Sequence, residues 1–209
     1  MKSKTGLVFL ILFTLLTVHG CGSRKAVVKK FYVIDLQESK DGILSDSLPT
    51  IHKYCEIIPV NVYPAYATTQ ILIRSESHEV RYFTYHEWAV RPQEILTRLM
   101  EEYFRQHRVF KEASIRFWKN IPDVQVESSL FSLEVFEEDN NYMAHLDMEL
   151  RLIDNESGEI VLKQRGNNYR KLDKKNLNLF AAAISEMYQQ ELEEFSIKAM
   201  TLLSPATTP

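Results

Sequence analysis

Glycine and cysteine are both scarce in this chain of 209 residues, which holds six of the first and two of the second. Two of the glycines, Gly6 and Gly20, fall within the first twenty residues, and the remainder are too few and too scattered for a glycine-rich phosphate cradle. Two cysteines cannot build a disulfide framework, and a modified Cys21 leaves Cys55 without a partner. Cys55 stands in an apolar stretch and reads as a small buried hydrophobe rather than a nucleophile. An excess of positive charge is missing too: 28 acidic residues face 25 basic ones, which excludes the net-positive domain that nucleic-acid binding requires. Beyond the first apolar run, none approaches the roughly 20 residues of a spanning helix. There is no Gly-x-Ser-x-Gly elbow and no His-Glu-x-x-His pair.

What is present begins at the N-terminus. Lys2 and Lys4 precede an unbroken apolar run, Gly6–Leu16, followed by Thr17-Val-His-Gly20 and then Cys21. A charged start, a core too short to span a bilayer and a small residue before the cut describe a secretory signal over residues 1–20. A Cys directly after Gly20 matches a bacterial lipobox, with Cys21 acylated and made the new N-terminus; His19 is unusual within that motif. Removing residues 1–20 from 209 leaves 189, and the basic count falls from 25 to 23 against 28, a charge of about −5 on a chain of single-domain size. Residues 21–30 form a tether carrying Arg24, Lys25, Lys29 and Lys30. The nine residues after Cys21 span at most ~30 Å when extended. Such a basic tether either favours an anionic membrane surface or is simply a solvated linker.

The hydrophobic pattern then lays out one domain over residues 31–203 and a flexible tail over 204–209. Phe31–Leu36 and Glu56–Val62 read as strands, the second interrupted by Pro59, with a loop over 37–53 between them. Gln70–Arg74 and Val80–Tyr85 flank a turn and read as a hairpin. Pro92 suits the first turn of a helix whose apolar stripe runs Ile95, Leu96, Leu99, Met100, Tyr103 and Phe104. Strict alternation marks Phe131–Val135 and Ala144–Leu152 as antiparallel strands with one buried face and one wet face. Glu159–Gln164 completes a three-strand meander. Asp173 is a plausible N-cap for a final helix from Lys174 to Leu203, ~45 Å long, whose end either frays or meets another subunit, so that a homo-oligomer is one expected partner. The fold expected is α/β on the border of α+β: a mixed sheet with an antiparallel meander, flanked by two main helices, the second long and C-terminal.

Candidates for chemistry are thin. His52, His78, His86, His107 and His145 are scattered, and His86-Glu87-Trp88 lacks further ligands for zinc; no metal site and no cofactor other than the covalent lipid on Cys21 is expected. His145 falls in the polar register of its strand, as do Asp147 and Glu149, ~7 Å apart on one face, and all three are expected on a solvated surface. Convergence of His78, His86 or Glu87 in a pocket would favour an enzyme; without it the chain is expected to be non-catalytic. The densest unusual segment is aromatic and proline-rich, Pro59 to Trp88, which suits a core or an interaction surface.

The order and spacing of that segment carry a resemblance. Ile57-Ile-Pro-Val60, Tyr63-Pro-Ala-Tyr66, Gln70-Ile-Leu-Ile-Arg74 and His86-Glu-Trp-Ala89 before a helix, with the opening Phe31–Leu36, resemble the ABC-type transport auxiliary lipoprotein family over roughly residues 21–203. Tyr63, and Val90-Arg91-Pro92 after the Trp-Ala step, depart from its usual pattern. The resemblance implies an outer-membrane-anchored periplasmic lipoprotein, sorted there with Gly22 rather than Asp after the acylated Cys. It implies a docking partner in the MCE-domain protein of an ABC lipid transport system, no nucleic acid, and a family surface or core shaped by Pro59, Pro64, Tyr66, Arg74 and Trp88. A lipoprotein scaffold that activates a cell-wall or envelope enzyme is the alternative, and cargo is not legible.

Overall fold

The computed structural model describes residues 27–37, 49–75, 78–139 and 141–203. The signal at 1–20, Cys21, most of the tether and the tail at 204–209 lie outside these residues. The described residues form β1 (Lys30–Tyr32), β2 (Ile51–Ile57), β3 (Asn61–Val62), a single 3-10 turn (Pro64–Tyr66), β4 (Gln70–Ser75), β5 (Glu79–Trp88), α1 (Pro92–Gln106), β6 (Phe110–Ser114), β7 (Val124–Glu138), β8 (Asn141–Asp154), β9 (Ile160–Leu172) and α2 (Leu177–Leu203). They make one mixed nine-stranded sheet in the order β1-β5-β4-β7-β2-β6, with β8 and β9 continuing antiparallel from β7. The expected single domain, mixed sheet, meander and two helices are all there.

The helices cover one face. Ala144, Leu146, Met148, Leu150 and Leu152 of β8 are all buried beneath α2, as their alternation requires. The stripe of α2, from Phe180 through Ile184, Tyr188, Leu192 and Phe195 to Ala199, is buried against them. Phe195 stacks toward Phe104 of α1 at 6.3 Å, and the Tyr188 hydroxyl donates to the Leu96 carbonyl at 2.6 Å, so one tyrosine ties the two helices together. Burial pushes that phenol's pKa well up. Cys55 is buried as expected, and its thiol is likewise pushed up by burial.

A second tie is polar. Glu191 of α2 is buried and lies directly over Gly166 of β9, where a Cβ would collide with its carboxylate. Its oxygens accept from Gln164 Nε2 at 2.7 Å and Asn168 Nδ2 at 2.6 Å. Here glycine supplies room for a neighbour rather than a special backbone angle.

Several boundaries differ from the sequence reading. β1 stops at Tyr32, and the extended chain after it is held by helix side chains: the Asp35 N–H donates to Ser185 Oγ at 3.1 Å and the Gln37 N–H to Gln189 Oε1 at 2.8 Å. β2 begins at Ile51, inside the expected loop, because it pairs in parallel with both β6 and β7. β7 starts at Val124, and a register shift between Leu130 and Ser132 places Phe131 out of step and hides the alternation before it. β9 runs on to Leu172 through charged residues that pair with β8. The cap of α2 is Asn176, whose Oδ1 accepts the Asn178 N–H at 2.9 Å, and not Asp173.

Candidate functional site

The face of the meander turned away from the helices is where the sequence reading fails most usefully. Register aligns Tyr82 of β5, Leu72 of β4, Glu134 of β7, His145 of β8 and Tyr169 of β9 in one row across the sheet. His145 and Asp147, expected on a solvated surface, are only 6% and 7% exposed, and Glu134 only 1%. Polar register does not mean exposure here, because the Pro64–Tyr66 turn and neighbouring side chains roof the row.

Glu134 is the hub. One oxygen, Oε1, accepts from Arg74 Nε at 2.8 Å and lies 3.1 Å from His145 Nδ1. The other, Oε2, accepts from the Tyr66 hydroxyl at 2.6 Å, and Arg74 Nη2 donates to that same hydroxyl at 3.1 Å. His145 Nε2 sits 2.9 Å from Asn167 Oδ1, and its ring stacks on Tyr169 with centroids 4.0 Å apart and planes 7° from parallel. Burial pushes the Glu134 pKa up, but hydrogen bonds from His145, Arg74 and Tyr66 outweigh it and hold the carboxyl below the usual range. The Tyr66 phenol is pushed up to about 12, first by burial and then by its bond to Glu134. Hydrogen bonding to Glu134 also raises Arg74. The cluster therefore holds an ionised, fully partnered carboxylate.

A row further along, Asp147 receives a two-pronged guanidinium from Arg165, Nε to Oδ1 at 3.1 Å and Nη2 to Oδ2 at 2.9 Å. Arg165 also lies over the Phe131 ring at 4.7 Å. Glu149 pairs with Lys163 at 3.1 Å and Arg151 at 3.6 Å. These carboxylates are surface-facing but committed to cations, which corrects the reading of Asp147 and Glu149 as open to solvent.

The five singled-out residues part company. Tyr66 and Arg74 converge on Glu134. Pro64 opens the turn that delivers Tyr66, with the Tyr66 N–H closing on the Tyr63 carbonyl at 2.9 Å and the Tyr82 hydroxyl reaching the Ala65 carbonyl at 3.0 Å. That turn leaves Tyr63 outside. Trp88 sits on the helix side, buried, with its ring 5.5 Å from Phe180. Pro59 borders a groove of about 540 Å3 with Thr97, Arg98 and Ile115, and the next residue's N–H donates to Thr97 Oγ1 at 3.0 Å. Cys21 lies outside the described residues. Sequence reasoning put His145 on a solvated surface and did not single out Glu134, Asn167 or Tyr169; the signal that could have joined them is the register of β8 against both neighbours, which brings the one carboxylate of β7's central stretch opposite the one histidine of β8.

The geometry does not assemble an acid–base site. Both Glu134 oxygens and both His145 nitrogens are occupied by fixed neighbours, so neither is poised for proton transfer. His86 and Glu87, adjacent on β5, point to opposite faces: His86 Nδ1 meets the Tyr32 hydroxyl at 2.7 Å, and Glu87 pairs with Lys29. Among the described residues no group of three or more His, Cys, Asp or Glu is arranged to hold a metal. The network instead fastens an aromatic turn to a charged sheet face.

A family model described as the ABC-type transport auxiliary lipoprotein component matches residues 45–195. No curated protein matches the chain. A crystal structure of a protein from Xanthomonas campestris superposes with a TM-score of 0.71 at 12% identity, over 83% of this chain and 96% of that one. A second solved structure, of an uncharacterized protein, gives 0.62 at 10% identity, over 81% and 99%. At those identities the likeness is one of fold.

Proposed function

We propose that this chain, which belongs to the family of ABC-type transport auxiliary lipoprotein components, is held by acylated Cys21 on the periplasmic face of the outer membrane and docks there, without catalysis, the MCE-domain protein of a lipid transport system. The family places it among lipoproteins that assist ABC-type transport. The observation that carries the rest of the reading is the roofed network on Glu134: Tyr66 and Arg74 are used to hold a turn against the sheet, and the turn leaves Tyr63 exposed with its ring 6.4 Å from Tyr66, while the exposed Tyr82 reaches the Ala65 carbonyl of the same turn. A rigid aromatic and charged platform suits protein recognition. The energy for transport is supplied by other components.

The test is recovery of the mature chain from envelope extracts. Co-purification of an MCE-domain protein, weakened by Tyr63→Ala with no change in melting temperature, is the expected result. Clean recovery of a cell-wall-synthesising enzyme in its place overturns the transport reading in favour of the scaffold. Cys21→Ala should shift the protein to the soluble periplasmic fraction; retention on membranes sinks the anchor.

A further inference from the structure

The connection from β6 to β7, residues 115–123, ends in the two most exposed large apolar side chains of the described residues: Trp118 is 88% and Ile121 89% exposed. The base of this loop is fixed. Phe117 packs edge-on against Tyr54 at 6.0 Å. Asp123 Oδ2 accepts the Tyr54 N–H at 2.7 Å, and the Asp123 N–H returns to the Tyr54 carbonyl at 2.8 Å. Between these clamps the tip reads Trp118-Lys-Asn-Ile121, with Arg116 just before it, and all five of these residues are exposed. From Ile115 to Pro122 the loop carries two cations and no carboxylate.

Area and chemistry decide what such a tip meets. Two side chains of this size present on the order of 350 Å2, less than half of the roughly 800 Å2 that each partner gives to a stable protein interface. A lone Trp–Ile pair flanked by Lys and Arg is instead the pattern of a bilayer interface, with indole and cations among headgroups and the aliphatic side chain in the acyl layer. The tether is placed to allow it. β1, through β5 and β4, and β6, through β2, are both attached along the edge of β7 that β8 leaves free, the first toward the end of β7 and the second at its start, so tether and loop leave from separate points on one flank of the sheet. Lys30 opens β1 and Lys29 is paired with Glu87, so the seven residues from Gly22 to Val28 are the leash, reaching at most ~25 Å when extended and keeping the domain beside the surface that holds it.

We propose that the 115–123 loop inserts Trp118 and Ile121 into the interfacial layer of an anionic bilayer, a second attachment that fixes how the domain lies on its membrane. This goes beyond docking and does not depend on acylation of Cys21.

The chain has two tryptophans, and Trp88 is buried against Phe180, so quenching of exposed indole reports Trp118. The mature chain, as processed by the cell, is placed on protein-free vesicles of phosphatidylethanolamine and phosphatidylglycerol with brominated acyl chains. Trp118 emission should shift to the blue, lose most of its intensity to the bromines and become shielded from aqueous iodide. In Trp118→Phe the remaining Trp88 emission should be unaffected by bromine, at an unchanged melting temperature. Lys119→Ala should lower the inserted-to-withdrawn ratio about five-fold, the equivalent of one cation near an anionic surface. If the chain floats with the vesicles while Trp118 stays red-shifted and open to iodide, the loop proposal falls and the anchor stands. A chain that does not float at all overturns both. Shielding seen in whole envelopes but not on protein-free vesicles gives the loop to a protein partner and overturns the bilayer reading.

Discussion

The two faces of the β7–β8–β9 meander are built from the same strands and buried by opposite means. Toward the helices, Ala144, Leu146, Met148, Leu150 and Leu152 bury apolar surface, a contribution that scales with area and tolerates imperfect geometry. On the other face, Glu134, His145 and Asp147 are equally hidden but held by named partners. Burial there is sustainable only while every lone pair and proton is matched. One face gains by the apolar area it packs away and the other by matching each polar atom to a fixed partner, and they should fail differently.

The largest effect is expected on the apolar face. Phe195→Ala removes a fully buried ring packed on Phe104 and should cost about 3–5 kcal/mol in denaturant unfolding; a loss under 1 kcal/mol would mean that the helix face is loosely packed.

Glu134→Gln comes next. It leaves Arg74 and His145 facing a neutral amide and should cost about 2–3 kcal/mol, below the full value for a broken buried pair because Arg74 keeps some contact with water. A double-mutant cycle with Tyr66→Phe should show coupling, since both act on Oε2. Simple additivity would break the claim that the network acts as a unit.

Acid should separate the faces without mutation. The folded-state pKa of Glu134 lies below the ordinary glutamate value of 4.5, so the unfolded chain takes up its proton first as pH falls. Its stabilising contribution is complete above that value and is lost on descending through the folded pKa. Glu137 and Asp154 are held low in the same way, so Glu134→Gln should flatten the acid limb of a stability–pH curve in part. An unchanged limb would remove Glu134 from the account. The smallest effect belongs to the rim: Lys163→Ala, whose ammonium is mostly in water beside Glu149, should cost less than about 0.5 kcal/mol.

The same contrast explains what was legible in the sequence. The apolar alternation of β8 and the stripe of α2 could be read directly, because each residue's fate depends on its own hydrophobicity and spacing. Burial of His145 depends on Glu134 eleven positions earlier and Tyr169 further on, and no local pattern announces a partner across a sheet. Strand ends were lost for related reasons. Polar residues of β9 such as Arg165 and Asn168 look like loop until Asp147 and Glu191 are placed beside them, and the irregularity at Phe131 breaks the period on which β7 would have been recognised. Of the candidate site, Tyr66 and Arg74 were identified from the order of motifs, whereas their shared carboxylate was not.

Glu191 resting on Gly166 has a mechanical consequence. A long helix presenting repeated apolar ridges to a sheet could slide by one turn, about 5.4 Å, and find a similar apolar bed. A carboxylate seated where only a hydrogen atom leaves space works like a detent. With its bonds to Gln164 and Asn168 it adds a discrete polar contact to the apolar ridges, and together with Tyr188 on Leu96 and Lys198 on Gln164 it references the far end of the helix at Leu203 to the rest of the fold.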